Sequence, residues 1–129
     1  MPPEHSPSFS FPKTERLTNK ALIEELFKSG QSQYVYPFRL LYLPQASPAQ
    51  HQSPQVLFTV PKRAFKRATA RNRLRRRIRE AWRLNRHRLL ALPDPNRIPA
   101  CLAIIYTAKE ENDFALMEKK LIQLLERFA

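Results

Sequence analysis

The stretch KRAFKRATARNRLRRRIREAWRLNRHR, Lys62 to Arg88, holds thirteen Lys and Arg and one acid, Glu80, and so carries the whole +12 formal charge of the chain. The remaining residues hold ten basic and ten acidic side chains and sum to zero. The same stretch is patterned as a helix. On a wheel of about 100° per residue, Leu74, Ile78 and Ala81 fall in a narrow arc flanked by Trp82 and Leu84. Asn72, Arg75, Arg76, Arg79, Arg83 and Arg86 lie opposite. A helix from about Ala68 to Leu90 must therefore bury one stripe and carry a row of guanidinium groups on the other side. From Asn72 to Arg86 that row runs about 21 Å at ~1.5 Å per residue.

A solvated charged face is the plain explanation for such a row, but solvated helices intersperse Glu with Lys to gain i,i+4 pairs. Here Arg71, Arg75, Arg79 and Arg83 follow one another at i,i+4 and repel unless an anion joins them. Arg also outnumbers Lys eleven to two in the block, and the planar guanidinium fork matches phosphate geometry. The pattern points to a polyanion partner, with nucleic acid ahead of an anionic membrane, because a sheet should already cover the apolar stripe.

The rest of the chain supplies that sheet. A length of 129 residues with 43% hydrophobic residues suits one domain with a core. Residues 1–12, rich in Pro and Ser, read as a flexible tail, and residues 13–129 as a single RNA-binding domain. A first helix is capped by Thr18, with Leu17 and Leu22 placed for a hydrophobic staple. Its apolar face holds Leu22, Ile23, Leu26 and Phe27, and Gly30, the only glycine, stands where a left-handed residue would end it. Gln33 to Leu43 is aromatic and β-branched, and Pro37 should split it into two short strands. Pro44 to Pro54 is a polar loop, and Gln55 to Val60 a strand with Val56, Phe58 and Val60 on one face. After the basic helix, Pro93 to Pro99 breaks the chain. Ala100 to Ala108 is apolar enough for a central strand buried on both faces. A last helix begins near Asn112 or Asp113, with Phe114, Met117, Leu121, Leu124 and Phe128 as its buried stripe. The expected order is α-β-β-β-α-β-α.

No catalytic constellation stands out. His5, His51 and His87 are scattered, and with Cys101 as the only cysteine they form no zinc spacing. Cys101 reads as a core residue. Glu110, Glu111 and Asp113 precede the last helix and are explained by its dipole. No apolar run is long enough to span a bilayer, and the opening MPPEHSPSFSFPK has no secretory pattern. A lone cysteine fits a reducing compartment, so a cytoplasmic location is expected.

The stretch ATARNRLRRRIREAWR, Ala68 to Arg83, resembles the signature of the bacterial ribonuclease P protein subunit family. There an Arg-Asn-Arg triplet, here Arg71, Asn72 and Arg73, opens a basic helix ending in Arg-Glu-Ala and an aromatic residue. FPKTERLTNKALIEELFKSG, YPFRLLYL, VLFTVPKR and CLAIIYTA are similar to the family's other segments in the right order. VPKRAFKRATARNR departs from the family's Ser-Lys-Lys-x-Gly approach: it has Pro61, no Gly and one residue more. Ile23 stands where many members carry Phe.

The resemblance implies a small α+β sandwich, of a kind seen in a ribosomal protein domain, with a left-handed β-α-β crossover. It implies a protein that assists a catalytic RNA in removing the 5′ leader from precursor tRNA, with Mg²⁺ bound mainly by the RNA. It implies no protein partner and no membrane. Lys62, Arg63, Lys66, Arg67, Arg71, Asn72, Arg73, Arg75, Arg76, Arg79 and Arg83 would contact RNA. Asn72 would serve a direct hydrogen bond or a metal-bound water, unless it is an ordinary surface residue. Phe27, Phe38, Tyr42 and Phe58 are the candidates for a leader-binding cleft between the first helix and the sheet, with hydrophobic core as the competing role. The alternative function is a non-catalytic RNA-binding module, such as a ribosomal protein or an RNA chaperone. A DNA-binding regulator would need a second helix just before the basic one, where a strand is expected.

Overall fold

The apolar patterns assemble into a four-stranded sheet flanked by three helices. The computed structural model describes residues 15–43, 54–92 and 98–128, so the expectations for residues 1–12, 44–53 and 93–97 lie outside the described residues. The elements run α1 (Lys20–Ser29), β1 (Gln31–Val35), β2 (Phe38–Leu43), β3 (Gln55–Thr59), α2 (Ala68–Leu90), β4 (Cys101–Tyr106) and α3 (Phe114–Glu126), the expected order. The strand order across the sheet is β1-β2-β4-β3. β1 pairs antiparallel with β2, β2 antiparallel with β4, and β3 parallel with β4. The fold is therefore α+β with a mixed sheet, and α2 is the crossover between two parallel neighbours.

Strand alternation sorts the core into two layers. Phe38 and Leu40 of β2, Val56 of β3, and Leu102, Ile104 and Tyr106 of β4 pack with Leu74, Ile78, Ala81 and Trp82 of α2 and with Met117, Leu121 and Leu124 of α3. The intervening residues Leu41, Cys101 and Ala103 pack with Leu17 and Leu26 on the other side, joined by Leu22, Ile23, Leu43, Leu57 and Ile105. So α2 and α3 cover one face and α1 the other. β4 is interior in the sheet and almost wholly buried, as its unbroken apolar run requires.

The helix punctuation differs in two places from expectation. The cap of α1 is Asn19 rather than Thr18: its Oδ1 accepts a hydrogen bond from the Leu22 N–H at 3.1 Å. Both residues are good caps, and the helix starts one residue later; Leu17 and Leu22 still share the α1-side core. Gly30 is not left-handed. Its φ is −65° and ψ 147°, and its N–H donates to the Leu26 carbonyl at 3.0 Å. A Cβ there would lie 2.3 Å from that same oxygen, so the glycine is required by close approach and not by its torsions. Pro37 splits the aromatic segment as expected, and the Tyr36–Pro37 peptide is cis. The last helix is capped by Asp113, whose carboxylate accepts from the Leu116 N–H at 2.9 Å.

Candidate nucleic-acid interface

α2 spans the expected residues, and its inward stripe is fully enclosed: Leu74, Ile78 and Ala81 are 0% exposed. Burial of that stripe fixes the rotation of the helix and so the direction of every arginine on it. Asn72, Arg73, Arg76 and Arg79 are exposed, and Arg75 and Arg83 are half-buried. The preceding loop adds exposed Lys62, Arg63, Lys66 and Arg67. It folds as a turn in which the Pro61 carbonyl accepts from the Ala64 and Phe65 N–H groups at 3.3 Å, and Phe65 is anchored in the core against Tyr106. Arg67 stands at the N-cap of the helix without a side-chain capping bond, and the first turn holds no acid. The positive end of the helix dipole thus adds to the loop's cations.

The arginine row is not uniformly available. Arg71 turns back and donates to the carbonyls of Phe65 and Lys66 at 2.7 and 2.9 Å, which fixes the loop on the helix. Arg73 makes a two-pronged ion pair with Glu111 at 2.7 and 2.8 Å. The bond lifts the Arg73 guanidinium above its ordinary value and holds the Glu111 carboxyl below the usual carboxylate range. Arg77 donates to the Asn112 carbonyl at 2.9 Å. Arg83 pairs with Glu80 through bonds of 3.1 and 2.5 Å, which lowers the Glu80 carboxyl and raises the Arg83 guanidinium. Between these braced ends, Arg75, Arg76 and Arg79 make no ion pair with another described residue.

Buried Tyr106 sets the position of Glu111. Its hydroxyl donates to the Glu110 carbonyl at 2.5 Å and accepts from the Asn112 backbone and side-chain amides at 2.9 and 2.8 Å. Burial raises this phenol above its ordinary value. Glu110 in turn accepts from the Tyr36 hydroxyl at 2.5 Å, and that bond raises the Tyr36 phenol. Only Asp113 of the three acids therefore serves the α3 terminus; Glu110 and Glu111 are engaged across the fold.

Two expectations fail. Arg86 shares the outer arc on the wheel, yet it is 7% exposed and ion-paired with Glu15, itself 6% exposed. The segment before α1 lies over that end of α2: Leu17 N–H donates to the Val56 carbonyl at 3.0 Å and Arg16 bridges β3. The same segment brings exposed Arg16 beside Arg75 and Arg79, a cation that helix periodicity could not associate with them. The cleft set also does not assemble. Phe38 is 0% exposed, edge-on to Tyr106 at 6.0 Å, and is a core residue. Tyr42 and Phe58 pack on the α2–α3 side of the sheet, Tyr42 edge-on to Phe128 at 4.9 Å. Only Phe27 is on α1, and it is half-exposed at 50%. Strand alternation sends even-numbered residues of β2 away from α1, and that parity could be read from the sequence, but not which side α1 would take.

The profile of the ribonuclease P family matches residues 11–129. The chain belongs to the bacterial ribonuclease P protein family. The ribonuclease P protein component of Porphyromonas gingivalis is 35% identical over 123 residues, which span 95% of this chain and 89% of the relative. That of Chlorobium phaeobacteroides is 34% identical, over 90% of this chain and 86% of its own. Among solved structures, the RNase P protein from Thermotoga maritima superposes with a TM-score of 0.68 at 26% identity, covering 88% of this chain and 96% of that one. The Staphylococcus aureus RNase P protein shares the fold with the same TM-score at 20% identity, over 89% and 95% of the two chains. Among the described residues, no three His, Cys, Asp or Glu side chains converge as ligands for a metal ion, and no helix is long and apolar enough to cross a membrane.

Proposed function

We propose that this chain is the protein subunit that assists a catalytic RNA in cutting the 5′ leader from precursor tRNA, in the cytoplasm. The observation that carries the reading is the open strip of Arg75, Arg76 and Arg79, continued by Lys62, Arg63, Lys66 and Arg67, on a fold of the ribonuclease P protein family. These groups neutralise phosphates of the catalytic RNA and release its counterions. Asn72, exposed within the strip, adds a neutral hydrogen-bonding group. Arg71, Arg73 and Arg83, held by internal partners, shape the strip, and each meets RNA only by exchanging that partner. On this reading Mg²⁺ is bound mainly by the RNA subunit, and no chemical step is assigned to the protein. The leader lies on the α1 side of the sheet, where Phe27 offers an aromatic face and exposed Arg39 of β2 shares the side of Leu41.

Reconstitution tests this. The pure protein should leave precursor tRNA intact, and with the cognate catalytic RNA it should restore cleavage at lower Mg²⁺ than the RNA needs alone. Cleavage by RNA-free protein after ribonuclease pretreatment, or no effect on the RNA's Mg²⁺ requirement, overturns the proposal.

A further inference from the structure

Both arginines of the triplet Arg71, Asn72 and Arg73 are engaged, Arg71 with the Phe65 and Lys66 carbonyls and Arg73 with Glu111. The exposed side chain of Asn72 makes no hydrogen bond to another described residue. The hold on Arg73 leads back to Tyr106, the last residue of β4, which is 0% exposed. Its ring is fixed against Phe38 at 6.0 Å and Phe65 at 5.8 Å. Its hydroxyl ties down the segment 110–112 through three bonds, to the Glu110 carbonyl and from the Asn112 backbone and side-chain amides. Arg77 holds the same segment from the α2 side through the Asn112 carbonyl. Within that segment stands Glu111, whose two carboxylate oxygens occupy the Nε and Nη2 edge of Arg73.

We propose that Tyr106 is a positioning residue for the RNA surface: without touching RNA it keeps Arg73 on Glu111, so that the triplet offers Asn72 rather than its arginines. The inference rests on the RNA-binding reading above and deepens it, because it names which groups of the surface the RNA meets. An ion pair with side chains 49% and 32% exposed is worth little when both partners must be ordered to form it. Here the carboxylate is already held, so only the arginine has freedom to lose. A phosphate seeks the same two-pronged edge of the guanidinium and reaches it only by displacing Glu111. An arginine that stays on Glu111 neutralises no phosphate and adds nothing to the salt dependence of binding. The number of phosphates that the surface engages therefore depends on a side chain that is itself enclosed.

The test is Tyr106→Phe in the full chain, which keeps the ring and removes only the hydroxyl. Thermal melts check the fold, and titration of the cognate catalytic RNA at several salt concentrations measures log K. Without its three bonds the 110–112 segment loosens, Glu111 leaves Arg73, and Arg73 takes a phosphate. The slope of log K on log salt should steepen by up to about one contact, ~0.7–0.9. Glu111→Gln should steepen it equally, and the double variant Tyr106→Phe/Glu111→Gln no more than either alone, since both act on one pair. The Arg73 Nε–H resonance of the isotopically labelled protein, distinct in wild type, should merge with those of the solvent-facing arginines in Tyr106→Phe. Asn112→Ala leaves Tyr106 in place and should move slope and resonance in the same direction, which decides the matter if Tyr106→Phe does not fold. Asn72→Ala should weaken binding about two- to tenfold, the worth of one hydrogen bond, at an unchanged slope. A folded Tyr106→Phe or Asn112→Ala chain with the wild-type slope and the wild-type Arg73 resonance overturns the positioning role, even if it melts lower. Full affinity of Asn72→Ala overturns the assignment of Asn72 as the offered group. Failure of the wild type to bind the catalytic RNA overturns the RNA reading itself.

Discussion

Replacing Glu15 by Leu should destabilise the protein severely although Glu15 lies far from the core stripe of α2 in sequence. Arg86, 7% exposed, would keep its charge and lose the carboxylate that faces it. Breaking a buried pair from one side costs about 3–5 kcal/mol. For a chain of this length, 1 kcal/mol moves the melting temperature by about 4 °C, so Glu15→Leu should melt about 10–20 °C lower. The double variant Glu15→Leu/Arg86→Met removes both charges and should recover to within about 1 kcal/mol of wild type or exceed it. Thermal melts followed by circular dichroism measure both. The double variant, once folded, should also bind catalytic RNA within about twofold of wild type, because Arg86 is enclosed and cannot reach a phosphate. A single variant that melts within ~2 °C of wild type, or a folded double variant with RNA affinity cut as deeply as by Arg79→Glu, would refute the assignment of Arg86 to structure.

Arg79→Glu should weaken RNA binding and barely change the melt, whereas Ile78→Glu, a charge forced into a 0% exposed site, should unfold the domain; matching melts for the two would contradict the helix rotation. Glu111→Gln should release Arg73 and steepen the dependence of log K on log salt by up to about one phosphate contact, ~0.7–0.9 in slope, measured by RNA titration at several salt concentrations. Because Arg73 lowers the Glu111 carboxyl from its ordinary value of 4.5, this pair stabilises the fold fully above that value and loses its contribution as pH falls through the lowered one. The stability difference between wild type and Glu111→Gln should therefore shrink on acidification. Gly30→Ala should cost about 1–3 kcal/mol in urea unfolding, because its Cβ meets the Leu26 carbonyl. Gly30→Asn should fare no better, since left-handed torsions are not what the site asks for.

The order of elements, the extent of α2 and the inward stripes of α2 and α3 were legible in the sequence. They follow from local periodicity, which records which residues share a side. The strip of Arg75, Arg76 and Arg79 belongs to that class: once Leu74, Ile78 and Ala81 face inward, those arginines face outward. What covers a given side is another matter, decided by residues remote along the chain. Glu15 and Arg86 are 71 positions apart, and Arg73 and Glu111 are 38. No spacing rule links them, so the wheel leaves Arg86 in the open row, and the triplet offers Arg73 to RNA, where tertiary packing gives each a carboxylate. Alternation places Phe38 and Tyr42 on one face of their strand, but it cannot choose between the α1 layer and the α2–α3 layer. That choice, and with it the union of Arg16 with Arg75 and Arg79 around one cavity, was made only when the segment before α1 crossed the β3 edge, where the unpaired backbone groups of an outer strand needed partners.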